Sequence, residues 1–132
     1  ETVIKPALAK QTVGITDRYI DSSVAYQGGG RVLSGQEIAR ISRWATDGLT
    51  PTLTILLDLP AQIGFGRFAE RDRLESEPLD FHERVRSTFL ERAALYSDRY
   101  LVVDATQSKE DISAQILERV LRLNSISRLK DK

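Results

Sequence analysis

Hydrophobic residues along the chain fall into two kinds of pattern. Three short runs, residues 12–16 (TVGIT), 53–57 (LTILL) and 100–103 (YLVV), are rich in β-branched and aromatic residues and too short for a stable helix. They predict strands, and their lack of polar alternation predicts burial on both faces. Between them the period becomes helical. Ser34-Gly-Gln-Glu37 has the form of a capping box, followed by Ile38, Ile41, Ala45 and Leu49 at three- and four-residue steps, with Gly48 and Pro51 as stop signals. Pro60 suits the first turn of a helix running towards Phe68. Phe81, Val85, Phe89, Ala93 and Tyr96 form another stripe. Ser108-Lys-Glu-Asp111 caps a helix carrying Ile112, Ile116 and Val120, with Leu117 and Leu121 beside them. Residues 3–9 look like the end of one more helix, and residues 124–132 form a polar tail expected to fray.

Strands alternating with helices predict an α/β protein with a parallel sheet and right-handed crossovers. No repeat, linker or low-complexity tract interrupts residues 1–132, so one domain is expected. Each predicted strand is followed at once by an aspartate: Asp17, Asp58 and Asp104. Ligands in open parallel sheets bind beyond the carboxyl ends of the strands. A turn-forming role accounts equally well for any single one of these carboxylates.

Composition narrows the function. Nineteen Lys+Arg balance 19 Asp+Glu, so no net basic field recruits nucleic acid or an anionic membrane. The absence of cysteine removes disulfides and thiolate metal sites, which fits a reducing compartment. No apolar run is long enough to span a bilayer, and no signal segment opens the chain. The chain begins at Glu1 and contains no methionine, which leads us to expect a piece of something longer.

Two segments could carry chemistry. The first follows residue 16: Asp17 is a candidate ligand for Mg²⁺, and Arg18 is a planar donor able to fork onto a phosphate. Ser22, Ser23, Tyr26 and Gln27 follow at helical steps and can share one face. The competing reading is an Asp-Arg surface pair leading into a polar helix. The triple glycine at residues 28–30 is not a phosphate loop, because no Gly-Lys-Ser/Thr string exists in the chain. The second segment, residues 67–77, holds Arg67, Arg71 and Arg73 among acids. It is either a solvated charged face or a lid whose cations close over a transferring phosphoryl group. His82 has no partner motif and is expected at the surface, and Trp44 is expected to be a core or interface anchor.

The strings ITDRYIDSSVAYQGGGR, WATDGLTPTLTILLDLP, DRLE, FHERVRSTFLERA and YLVVDATQ together resemble bacterial thymidylate kinase, in the family's order, from about residue 3 to residue 121. That resemblance implies a P-loop NTPase-type three-layer α/β/α fold and transfer of the γ-phosphoryl group of ATP to dTMP, with Mg²⁺. It places Arg18 on the dTMP phosphate and Asp17 in the metal shell. Ser22, Ser23 and Gln27 line the thymidine pocket, and Tyr26 lies against the sugar, where it disfavours a ribose 2′-hydroxyl. Arg67, Arg71 and Arg73 fall in the lid, one of them catalytic, with Arg67 and Arg71 also on ATP. Thr106 and Gln107 fall near the adenine. The family is cytoplasmic and homodimeric, so the helix after Ser34 is a candidate interface with Trp44 as its anchor. No nucleic acid or membrane partner is implied.

Two departures stand out. Thr52 replaces the aspartate usual before Leu-Thr, at a turn rather than at the chemistry. The family's opening strand, Walker loop and Arg-Glu-Pro-Gly stretch are not among these 132 residues. In the family that strand lies between those ending at Asp17 and Asp58, so the chain alone is expected neither to fold as a native monomer nor to turn over ATP. The alternatives are another deoxynucleoside or nucleoside monophosphate kinase, or a non-catalytic module for dimerisation or nucleotide binding.

Overall fold

The computed structural model describes residues 3–28, 35–65 and 77–123. The chain divides into two compact units, Glu1–Thr50 and Pro51–Lys132.

In the first unit, helix α1 spans Ile4–Ala9, as the opening residues predict. Residues 12–16 adopt no regular secondary structure and pair with no strand among the described residues, with Val13 and Ile15 exposed. The strand expected there is therefore absent. The residues have strand-type side chains, yet a strand exists only where its N–H and C=O groups meet a partner ladder. After the Asp17–Arg18 turn comes α2, Ile20–Ser23, which widens without a break into a π-helical turn, Val24–Gly28. Asp21, Val24 and Ala25 are buried at steps of three and four. With Ile38 of α3 (Gly35–Ala45), they form the inside of this unit, where α2, the π turn and α3 pack together.

The predicted stop of α3 is present. Asp47 (φ 51°) and Gly48 (φ 73°) are both left-handed, and the Gly48 N–H donates to the Arg43 carbonyl at 2.9 Å. Glycine takes that backbone geometry without steric cost, so it closes the helix and turns the chain out. Lys5 of α1 reaches the same turn, donating to the Asp47 carboxylate at 2.6 Å. The Ser34 side of the proposed capping box lies outside the described residues.

The second unit contains a two-stranded parallel sheet, β1 (Thr54–Asp58) beside β2 (Tyr100–Asp104), in register from Thr54↔Tyr100 to Asp58↔Asp104. The connection between them carries α4 (Ala61–Phe65) and α5 (Leu79–Leu95), and α6 (Lys109–Leu121) follows β2. The Pro60 carbonyl accepts from Ile63 and Gly64, so proline stands at the start of α4 as expected. The predicted continuation to Phe68 lies outside the described residues. The stripe of α5 is confirmed: Phe81, Val85 and Ala93 are buried, together with Tyr100 and Val103 of β2. α5 packs on both strands and α6 on β2.

The Ser108 cap is also as predicted. Its hydroxyl accepts from the Asp111 N–H at 3.1 Å and donates to the Asp111 carboxylate at 2.7 Å, joining cap and first turn in both directions. The expectation that both faces of the strands are buried does not hold. Ile55, Leu57 and Val102 are exposed, because no described element covers them.

Candidate functional site

Residues of the first chemical segment are brought together by a backbone that few side chains tolerate. Arg18 has φ 65°, the left-handed region, which costs a non-glycine residue on the order of 1 kcal/mol. The Thr16 hydroxyl donates to the Arg18 carbonyl at 3.1 Å, closing this turn from the side-chain end. Tyr19 is extended and sits at the N-terminus of α2, its phenol donating to the Leu49 carbonyl at 3.4 Å. The chain then winds through α2 and the π turn, bringing Tyr26 back to the arginine. The Arg18 guanidinium carbon is 5.3 Å from the centre of the Tyr26 ring, a cation–π contact.

Ser22, Ser23 and Tyr26 are half-buried and Gln27 is exposed. All four lie off the buried Asp21–Val24–Ala25 stripe. The helical spacing that placed them together holds, with a wider winding over Val24–Gly28. Single wide turns of this kind within helices are frequent at functional sites.

The three strand-end aspartates have different fates. Asp58 receives the whole fork of Arg86 from α5: Nε to Oδ1 at 2.8 Å and Nη2 to Oδ2 at 3.0 Å. The hydrogen bond to Asp58 holds the Arg86 guanidinium above its already high pKa. Asp104 closes an Asx turn, accepting from the Thr106 hydroxyl at 2.7 Å and the Thr106 N–H at 2.8 Å. Those two bonds, the hydroxyl first, hold the Asp104 carboxyl below its ordinary value of 3.8. Asp17 alone of the three has no side-chain partner among the described residues.

Mg²⁺ commonly sits on one or two carboxylates plus the phosphates of its nucleotide. Asp17 suits that arrangement. Asp58 and Asp104 are already engaged, and the described residues contain no group of three His, Cys, Asp or Glu able to hold a metal by themselves.

Thr106 and Gln107, which the resemblance puts near the adenine, follow the carboxyl end of β2. Their polar groups are held locally. The Thr106 hydroxyl is on Asp104, and the Gln107 amide oxygen accepts from Gln115 at 2.8 Å. Arg67, Arg71 and Arg73 lie outside the described residues.

His82 is half-buried, edge-on to Phe81 with ring centres 5.5 Å apart, rather than at the surface. Its place beside Phe81 at the start of α5 draws it in. Trp44 is not in the core: it is 84% exposed, beside exposed Ile41, and the two line a shallow depression with Arg40.

Sequence reasoning missed the Asp58–Arg86 fork, whose partners stand 28 positions apart with no local signal. The Asp104–Thr106 turn was detectable, because Asp two residues before Thr is a local capping pattern. Among the described residues, no helix is long and apolar enough to cross a membrane.

Comparison with known proteins places the chain in a family. The family model for thymidylate kinase matches residues 1–116. The thymidylate kinase of Clavibacter michiganensis subsp. michiganensis is 52% identical over 127 residues, covering 93% of this chain and 60% of the relative. That of Clavibacter sepedonicus is 54% identical over 123 residues, covering 90% and 58%. That of Cutibacterium acnes is 46% identical over 123 residues, covering 93% and 60%. The chain thus spans about 60% of the length of the curated relatives it matches. The match runs through the Asp17–Tyr26 turn, the Asp58 edge and the Asp104 turn alike, not through one isolated motif. On that breadth, the chain belongs to the thymidylate kinase family.

Proposed function

We propose that the full-length protein phosphorylates dTMP to dTDP with Mg·ATP. The observation that carries this reading is the Asp17–Arg18 turn: an open carboxylate beside a guanidinium that carries no carboxylate partner among the described residues. A hard cation and a phosphate are the ligands such a pair selects.

In this reading Arg18 forks onto the dTMP phosphate and neutralises charge as the phosphoryl group arrives. Asp17 holds the Mg²⁺, directly or through water, and the metal bridges ATP oxygens and offsets their charge. Ser22, Ser23 and Gln27 hydrogen-bond the thymidine, and the Tyr26 ring fills the space a 2′-hydroxyl would need. Arg67, Arg71 and Arg73 act from the lid, residues 67–77, with Arg67 and Arg71 on ATP. Thr106 and Gln107 flank the adenine.

Residues 1–132 are read as part of one kinase domain of a cytoplasmic homodimer. The exposed Ile41–Trp44 face of α3 is the candidate contact between copies. The Walker cradle for the β- and γ-phosphates is not among these residues, so the 132-residue chain alone is expected to be inactive.

The test is a coupled assay on the full-length protein with dTMP, dUMP and dCMP as acceptors. Preferential ADP formation with dTMP supports the reading, and equal or absent turnover with dTMP sinks it. Sustained turnover by the 132-residue chain alone would contradict the division of the site.

A further inference from the structure

We propose that Thr16 and Tyr26 are positioning residues that hold Arg18 as a pre-formed, open phosphate fork. The proposal rests on the dTMP reading above and adds two residues that act through the arginine.

Three observations converge. The Arg18 backbone is left-handed at φ 65°, a geometry that persists only where its surroundings impose it. The Thr16 hydroxyl bonds the Arg18 carbonyl at 3.1 Å, which fixes the peptide leaving that residue. The Tyr26 ring lies 5.3 Å from the guanidinium carbon. An aromatic ring and a carboxylate hold arginine in chemically different ways. A carboxylate takes the N–H groups of the fork, whereas a ring attracts the cation through its π face. The N–H donors, which lie in the guanidinium plane, are then left for a ligand. Arg18 is therefore oriented before the ligand arrives, with no carboxylate among the described residues that the ligand must displace.

Pre-orientation predicts where the cost of losing each residue falls. Arg18 meets only the phosphate, so removing Thr16 should weaken a nucleotide and spare the nucleoside. Tyr26 also lies against the sugar, so its ring should matter to both ligands, and to the nucleotide more.

The experiment is calorimetric titration of the full-length protein with dTMP and with thymidine. Thr16→Val should weaken dTMP by about threefold to tenfold and leave thymidine unchanged, the scale expected for one hydrogen bond. Thr16→Ser, which keeps the hydroxyl, should restore dTMP binding. In an Arg18→Ala background, Thr16→Val should add nothing further. Tyr26→Leu should lose more dTMP than thymidine affinity, while Tyr26→Phe, which keeps the ring, should hold the dTMP/thymidine ratio. This second pair carries the test if Thr16→Val does not fold. A wild-type dTMP affinity in Thr16→Val, an equal loss of thymidine, or additivity with Arg18→Ala overturns the proposal. A wild-type protein that fails to bind dTMP overturns the substrate reading and this proposal with it. Normal dTMP binding with a silent Thr16→Val overturns this proposal alone.

Discussion

Two aspartate–arginine pairs, one in each unit, show how differently the same two residue types can be used. Asp17 and Arg18 are adjacent in sequence and do not pair: the left-handed turn sends the guanidinium onto a ring and leaves the carboxylate with no side-chain partner among the described residues. Asp58 and Arg86 are 28 positions apart and pair completely, because α5 packs on β1 and brings both nitrogens onto both oxygens. Sequence adjacency is thus a poor guide to ion pairing. An arginine whose fork is filled by its own protein contributes to the fold, and one whose fork is open is available to a ligand.

The comparison breaks most sharply if the two arginines respond alike. Arg18→Gly in the full-length protein should raise the KM for dTMP by about ten- to a hundredfold, through loss of charge-assisted bonds to phosphate. The same substitution removes the left-handed penalty, so the midpoint of urea unfolding should stay or rise, by up to about 1 kcal/mol. Steady-state kinetics beside urea titration checks both halves.

Arg86→Leu should do the reverse. It leaves Asp58 half-buried and unpaired, a loss of about 1–3 kcal/mol seen in the unfolding midpoint, with the KM for dTMP unchanged. Arg86→Lys, a point charge that cannot fork, should recover only part of that loss.

Ser108→Ala should cost about 1 kcal/mol of stability with no effect on either substrate, a cap effect that calibrates the Arg86 value.

Acidification should give the smallest effect. Asp104 is held below 3.8 by Thr106, and its contribution is fully present above that ordinary value. It is lost as pH falls through the lower folded value. Thr106→Val should therefore lower the neutral plateau slightly and flatten the acid limb of stability below about pH 4, measured by melting temperature against pH.

Much of the fold was legible because its signals are local. The Ser108 box, the α5 stripe and the left-handed stop at Gly48 each arise within a few residues, where backbone geometry and neighbouring side chains decide the outcome. Residues 12–16 show the limit of that logic. Their β-branched composition is real, yet no described strand pairs with them, and pairing is not encoded in the segment itself. The site divides in the same way. Arg18, Ser22, Ser23, Tyr26 and Gln27 stood out as a dense polar cluster behind an apolar run. The Thr16 bond and the Arg18–Tyr26 cation–π contact depend on one φ angle that no pattern of residue types reveals. Asp58 was visible as a strand-end carboxylate, but its partner appears only once helix and strand are packed.

The π turn at Val24–Gly28 gives the first unit a phase as well as a shape. An α-helix rotates about 100° per residue, and a wider coil rotates less, so the bearing of Tyr26 is set by winding as much as by residue identity. Deleting one residue before Tyr26 would preserve every side chain of the cluster and still swing the ring away from the guanidinium. In this segment the length of the coil is itself information, and an insertion or deletion would alter it more than most substitutions could.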